Sequence, residues 1–438
     1  MRQTLFYIPH EVFGLPVFGM GWALIVWAVA SVALLWWLVR RQGWNADTRS
    51  YLPLLLLVAV AFCFGLPFLE ERSAAGAPLG LAIRGYGVML LVAVICGVGL
   101  AVQQARRMGL DPELIYSLAL WSFVGGIIGA RAFYVIQYWP QFDRPTLGAT
   151  FRALLNVTQG GLVVYGSLIG AGITGIWFIR KHGLPLLAVV DLVAPSMALG
   201  MAIGRIGCLL NGCCHGGLCE NPTLGITFPR GSPPYVHDSP PYIHQHSLGQ
   251  LHGFTIGRDP DSAAAVVKAV EPKGAAEKGG LVVGAVIKSI NGESVDSYET
   301  ARKILATSGP ALAIETDVGT ARVVLPRLPP RSKPVHPTQI YSAISAAVLC
   351  LLLWAYYPFR RRDGEVMALL LTLYPITRFL LEIIRNDEPG RFGTSLTVSQ
   401  IISLAIFAAA CVLWRHLSRQ PRGSVLPAVE GDMATAIG

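Results

Sequence analysis

The residues able to do chemistry in this sequence are few, because most of the chain is apolar. Arg205 stands in the run Gly204-Arg205-Ile206-Gly207-Cys208-Leu209-Leu210-Asn211-Gly212-Cys213-Cys214-His215-Gly216, at the end of an apolar stretch that begins near Leu186. Arg131 lies inside a second apolar stretch. In a third, Tyr374, Arg378 and Glu382 recur at i, i+4 and i+8, which places them on one helix face. An ionisable group at membrane depth is costly and marks function by default. The guanidinium fork matches phosphate oxygens, and phosphates at that depth belong to lipid headgroups. The competing reading is an Arg378–Glu382 pair that only holds helices together. Arg131 and Arg205 lack an acid nearby in sequence, which favours an anion site.

The cysteines divide into two groups. Cys63, Cys96, Cys350 and Cys411 are scattered in apolar runs and read as buried packing residues. Cys208, Cys213, Cys214 and Cys219 form one cluster. Outside the cytoplasm such a cluster can hold a disulfide; packing thiols are the second reading. A metal site with His215 is the third, disfavoured because adjacent cysteines chelate awkwardly, and no metal is assigned. His237, His244, His246 and His252 read as part of a solvated loop rather than as ligands.

The elements that position these residues are membrane spans. Of 438 residues 53% are hydrophobic and 14% charged, which fits a polytopic membrane protein. Nine stretches approach the ~20 residues a spanning helix needs: 18–39, 51–69, 85–105, 114–137, 160–179, 186–207, 340–358, 365–384 and 396–414. The net charge of +9 sits in short basic clusters at span ends, so it argues for orientation and against a nucleic-acid partner. Arg40-Arg41, Arg106-Arg107, Arg180-Lys181, Arg360-Arg361-Arg362 and Arg415 to Arg419 follow the odd-numbered spans. All five fall on one side, the cytoplasmic one by the positive-inside rule. The N-terminus is then outside, the C-terminus inside, and 208–339 extracytoplasmic. Residues 1–14 show no removable signal peptide.

Five segments result. Residues 1–78 hold two additional spans, which at an offset of 66 residues resemble the next two. Gly19-Met20-Gly21 then meets Gly85-Tyr86-Gly87, and Arg40-Arg41-Gln42-Gly43 meets Arg106-Arg107-Met108-Gly109. A worn duplication and coincidence between two apolar hairpins both account for this. Residues 79–249 and 329–416 form the membrane core, and 417–438 a disordered cytoplasmic tail. Residues 250–328 read as a small α+β domain, with strands near 266–270, 286–290, 311–316 and 321–325 and a helix over 297–307. The run from Gly279-Gly280-Leu281 to Ile290-Asn291-Gly292 resembles the middle of a PDZ domain, with His252-Gly253-Phe254-Thr255-Ile256 where its carboxylate-binding loop falls. That resemblance implies a possible peptide ligand added as an edge strand; a spacer that binds nothing is the alternative.

The membrane core resembles the prolipoprotein diacylglyceryl transferase family. The resemblance rests on six segments in the family's order: Arg84-Gly85-Tyr86-Gly87, Gly129-Ala130-Arg131, Gly160-Gly161 to Gly166, Gly204-Arg205-Ile206-Gly207 with Asn211-Gly212 and Gly216, His336-Pro337-Thr338-Gln339-Ile340-Tyr341, and Arg378-Phe379-Leu380-Leu381-Glu382. It implies transfer of the diacylglyceryl group of phosphatidylglycerol to the lipobox cysteine thiol of a prolipoprotein, with release of glycerol 1-phosphate and no cofactor. It implies an inner-membrane location. By resemblance, Arg205 and Arg378 grip the phosphate and Glu382 orients Arg378. Tyr86, Arg131 and Tyr374 line the lipid cavity, Gly166, Asn211 and Gly216 belong to the substrate site, and His336, Gln339 and Tyr341 shape its outer rim. A histidine that some members carry aligns with Tyr165, an asparagine with Cys208 and an acid with Cys213. The thiol's base is therefore left among Tyr165, His215 and water.

Two other classes fit the sequence less well. A zinc peptidase needs His-Glu-x-x-His, but His10-Glu11 is followed by Val12-Phe13-Gly14. A non-catalytic lipid-binding scaffold with the PDZ-like block as its working part is the remaining alternative, against which the arginines and Glu382 stand.

Overall fold

The computed structural model describes residues 3–72, 76–142, 146–155, 161, 163–221, 223–236, 245–260, 262–385 and 393–426. Its helices are α1 (Trp22–Gln42), α2 (Ala46–Val60), α3 (Gly85–Arg107), α4 (Pro112–Gln137), α5 (Leu147–Leu155), α6 (Val164–Lys181), α7 (Leu186–Asn211), α8 (Ala275–Lys278), α9 (Tyr298–Thr307), α10 (Thr338–Tyr356), α11 (Glu365–Ile384) and α12 (Val398–Ser418). Eight helical stretches among the described residues are long and apolar enough to cross a membrane. They coincide with eight of the nine expected spans. At the remaining place α6 has 18 residues, five of them glycine or alanine, and ends in Arg180-Lys181. The second span continues beyond α2 through a wide turn, Ala61–Gly65, and a tight one, Leu66–Leu69.

The chain divides into two compact units, one of Met89–Gly125 and Ala171–Gly438, the other of Arg2–Val88 and Gly126–Gly170. In the second unit, the N-terminal strand β1 (Thr4–Ile8) pairs antiparallel with β5 (Pro78–Arg84). Two short strands, β2 (Glu11–Val12) and β3 (Leu15–Pro16), form a hairpin, and β4 (Glu71–Arg72) flanks β5. The same unit brings Gly129 of α4 against Gly166 of α6. A Cβ on either would lie 2.3 Å from the other's carbonyl oxygen, so only glycine permits this backbone approach.

In the first unit α7 is central: half of its apolar stretch is buried. Ala188, Ala194 and Ala198 of α7 pack with Leu349, Leu353, Val366 and Leu370 of α10 and α11. Asp191, buried in α7, accepts the backbone N–H groups of Gly364 (2.7 Å) and Met367 (2.8 Å). It satisfies the first turn of α11 from another helix, a role otherwise taken by an N-cap side chain.

α7 runs past the expected end near 207. Gly204 and Gly207 stay helical, and the stop is Gly212 at φ 79°, whose N–H returns to the Cys208 carbonyl. Glycine is the residue that takes this left-handed cap without strain. Two further expectations are corrected. Of the scattered cysteines only Cys350 is buried; Cys96 and Cys411 are exposed and Cys63 half-buried. Exposure on an apolar spanning helix means contact with lipid, which a thiol tolerates. Residues 419–426, assigned above to a disordered tail, fold back: Arg360 donates to Ser424 Oγ (2.9 Å), Gly423 N–H to the Arg361 carbonyl, and Leu426 is buried.

The insert after α7 contains β6 (Phe254–Arg258), β7 (Ala265–Val270), β8 (Ile287–Ile290), β9 (Glu293–Ser294), β10 (Ala311–Thr316) and β11 (Thr320–Val324). One sheet has the order β11-β10-β8-β9; β6 and β7 form a separate pair. Asn291 and Gly292 take φ 52° and 83°, the two positive values a tight hairpin turn demands. Ala301 and Leu305 of α9 are buried against Phe254, Ile287 and Ile314. The insert thus has its own core, with the strands and helix expected from the pattern.

Candidate functional site

The site is assembled where α7 and α11 end. Glu382, 2% exposed, is its hinge. Arg378, one turn earlier, donates to Glu382 and to Ser399 Oγ (2.9 Å). Arg385 approaches the same carboxylate at 3.4 Å, and Thr397 Oγ1 donates to its other oxygen at 3.1 Å. Thr397 and Gln400 form a capping box that starts α12, so the helix start also fixes the carboxylate. The helical spacing therefore yields an ion pair, as expected, but the carboxylate is shared by two guanidiniums. Thr397 and Ser399 were not singled out from sequence, and Arg385 is read there only as the outer end of its span. Arg385 sits one turn past Glu382; Thr397-x-x-Gln400 preceding an apolar run is a legible cap signal.

Arg205 lies in the last two turns of α7, within electrostatic range of Tyr374, Arg385 and the Cys208 and Cys214 thiols. Three arginines thus converge with only one carboxylate among these partners. Tyr374 packs, half-buried, against the helical core.

The turn after α7 is held in place by backbone groups. Thr338 Oγ1 donates to the Cys214 carbonyl (2.7 Å) and Gln339 Nε2 to that of Cys213 (2.8 Å). Gly216 N–H donates to the His336 carbonyl (2.8 Å) and Gly217 N–H to that of Ile384 (3.1 Å). A Cβ at Gly216 would come within 2.6 Å of His336 Cβ, so glycine is required by close approach. His336, Gln339 and Gly216 are thereby brought together. Asn211 is the last residue of α7, and Tyr341 is half-buried one turn into α10.

His215 is buried, with Nδ1 2.9 Å from the Gly216 carbonyl. A carbonyl only accepts, so Nδ1 carries a proton, and in the uncharged tautomer the lone pair is then on Nε2. That is the form a general base requires.

The sulfurs of Cys208, Cys213 and Cys214 all lie within 4.8 Å of one another, as free thiols. Cys214 adopts φ 58°, a conformation uncommon outside glycine. Bonds from Cys208 and Cys213, then Arg385 and Arg205, hold its thiol well below the usual range. Three sulfurs at this spacing could share a soft cation. Cys219 stands apart, donating to the Asn221 carbonyl.

Tyr86, Arg131, Tyr165 and Gly166 belong to the other unit. Arg131 there donates to the carbonyls of Leu154 (2.9 Å), Ala153 (2.9 Å) and Gly161 (3.1 Å). It closes the last turn of α5 and lies over Tyr134 and Phe142. Tyr165 is half-buried in the first turn of α6, Gly166 is the close-approach glycine, and Tyr86 is exposed in the first turn of α3. Gly160, His237 and His244 lie outside the described residues.

Fold and site together define a polytopic membrane protein in which three arginines gather at the ends of two helices long and apolar enough to span a membrane. The model of the prolipoprotein diacylglyceryl transferase family matches residues 75–416, and the chain belongs to that family. A phosphatidylglycerol–prolipoprotein diacylglyceryl transferase of Rhodopirellula baltica is 36% identical over 100% of this chain and 95% of its own length. One from Clostridium tetani is 32% identical over 74% of this chain and 89% of its own. A second, numbered 2, from Clostridium perfringens is 25% identical over 78% and 94%.

Proposed function

We propose that the protein transfers the diacylglyceryl group of phosphatidylglycerol to the lipobox cysteine of prolipoproteins, the first step of bacterial lipoprotein maturation. The observation that carries this reading is that Arg378 and Arg385 share the one buried carboxylate of Glu382 while Arg205 lies within electrostatic range of Arg385. In the reaction the cysteine thiolate attacks the glyceryl carbon that bears the phosphate ester. A C–S bond forms, the C–O bond breaks, and glycerol 1-phosphate leaves with the electron pair. Negative charge grows on the phosphate, so Arg205 and Arg378 lower the barrier by meeting charge where it develops. Glu382 is a positioning residue: it and Ser399 hold Arg378 before substrate arrives.

The thiol must lose its proton to attack. His215 Nε2 takes it in this reading; Tyr165 and water are its competitors. Asn211, Gly216, His336, Gln339 and Tyr341 form the outer rim and Tyr374 its lipid side; for Tyr86, Arg131 and Gly166, in the other unit, a lipid-lining role is what the family resemblance implies. Arg131 acts there through the backbone it ties, since its donors go to carbonyls.

The same proposal places the protein across the bacterial inner membrane with nine spans, α6 being the fifth. The basic clusters after the odd-numbered spans put the C-terminus in the cytoplasm and the insert outside. The strand and helix order of the insert supports a PDZ-like module.

The test is transfer of diacylglycerol from phosphatidylglycerol vesicles to a lipobox peptide by purified protein, beside a peptide with serine in place of the cysteine. Transfer only to the cysteine peptide supports the reading; transfer to neither overturns it.

A further inference from the structure

The insert is stitched to the rim of the site rather than suspended from it. β6 pairs with β7 on one side only. Its other edge is already taken: Ile256 N–H donates to the Leu248 carbonyl (3.0 Å) and Phe254 N–H to that of Gly249 (3.3 Å). Leu248 packs against the core of the insert. The strap preceding β6 thus occupies the edge at which an added strand would pair.

The strap's other face is fixed to the chain returning to the membrane. Gln245 Nε2 donates to the Lys333 carbonyl (3.2 Å), and Lys333 N–H donates to Gln245 Oε1 (2.7 Å). Lys333 Nζ also pairs with Glu271 of the insert at 2.9 Å. Gln250 N–H closes the strap on the Gln245 carbonyl (2.8 Å).

This arrangement delivers two glutamines to a cavity of about 490 Å³, whose other walls include His215, Gly216, His336 and Arg385. That size is typical of ligand pockets, about 300–1,000 Å³. Gln245 is fully engaged by Lys333. Gln250 Oε1 is buried without a hydrogen-bond partner among the described residues, a state that costs free energy until a donor arrives.

We propose that this cavity receives the stretch of preprotein that follows the lipobox cysteine, with Gln250 reading its main-chain amides. The inference rests on the transferase reading and gives the insert its role: it is a fixed wall of the polypeptide site. A carboxamide offers both a donor and an acceptor, which is what a peptide unit needs. The backbone around the cavity is extended and paired, with bridges Gly216–Arg385 and Leu218–Val335, which suits an extended guest.

The test uses full-length protein in phosphatidylglycerol vesicles and two lipobox peptides, one ending at the cysteine amide, one continuing six residues beyond it. Gln250→Ala should raise KM for the long peptide about fivefold. It should leave kcat, KM for the short peptide and KM for phosphatidylglycerol unchanged. Gln250→Met, close in size but without the carbonyl acceptor, carries the same test should the alanine variant misfold. Equal effects on both peptides, or none, overturn the proposal. A raised KM for phosphatidylglycerol instead assigns the cavity to the lipid headgroup and also overturns it. Absence of transfer by the wild-type protein to either peptide overturns the transferase reading itself, and this inference with it.

Discussion

Glu382→Gln separates a positioning carboxylate from a merely structural one. The side chains of Glu382, Arg378 and Arg385 are 1%, 14% and 7% exposed, so the charge is removed from an interior network. Taking one partner from a buried ion pair costs about 3–5 kcal/mol. Glutamine keeps the bond from Thr397 Oγ1, which places the expected cost near about 3 kcal/mol. Arg378 then retains Ser399 alone and turns away from the phosphate. Losing one preorganised donor in a transition state costs about 10²–10³-fold in rate. The assay is kcat/KM for a lipobox peptide in vesicles, corrected for folded fraction by thermal unfolding in the same detergent. A fall of about 100-fold in folded protein is expected. A kcat/KM within about twofold of wild type, with only the unfolding midpoint lowered, would refute the positioning role.

Asp191→Ala should lower the unfolding midpoint while preserving the catalytic rate of the folded fraction, because it strips two hydrogen bonds from the start of α11. The loss is about 2 kcal/mol, and an unchanged midpoint would contradict it. In the strap before β6 and at the start of the insert, burial first, then His252 and Arg230, push His246 down to about 4, and burial lowers His252. Unfolded histidine titrates near ~6.5, so between there and about 4 the unfolded chain takes up protons that the folded insert refuses. Stability must therefore fall as pH drops through that window, by up to about 1.4 kcal/mol per pH unit for His246. Hydrogen exchange at β10 and β11 amides at pH 7 and pH 5 reads this directly, and equal protection at both would sink it.

The spans were legible because about 20 apolar residues leave few alternatives in composition. Arg378 and Glu382 were legible because helical spacing alone puts them in reach. The third member, Arg385, lies just past the helix end, where periodicity stops applying. Asp191 reads as an odd charge in an apolar run; its partners are backbone groups 173 and 176 residues away, which no residue type announces. The closure of β6 by the strap is hidden for the same reason, being made of main-chain bonds. Arg131 shows the opposite failure. Without an acid in sequence it suggested an anion site, but peptide carbonyls are acceptors too, and three of them take its donors.

The central claim is that Arg205 and Arg378 serve a phosphate leaving group. Its most direct test compares wild-type protein with Arg205→Ala, both shown to be folded, for thiol-dependent transfer to a fluorescent lipobox peptide in phosphatidylglycerol vesicles. The account predicts transfer by the wild type and a loss of at least about 100-fold in the variant. Full activity in the variant would contradict it.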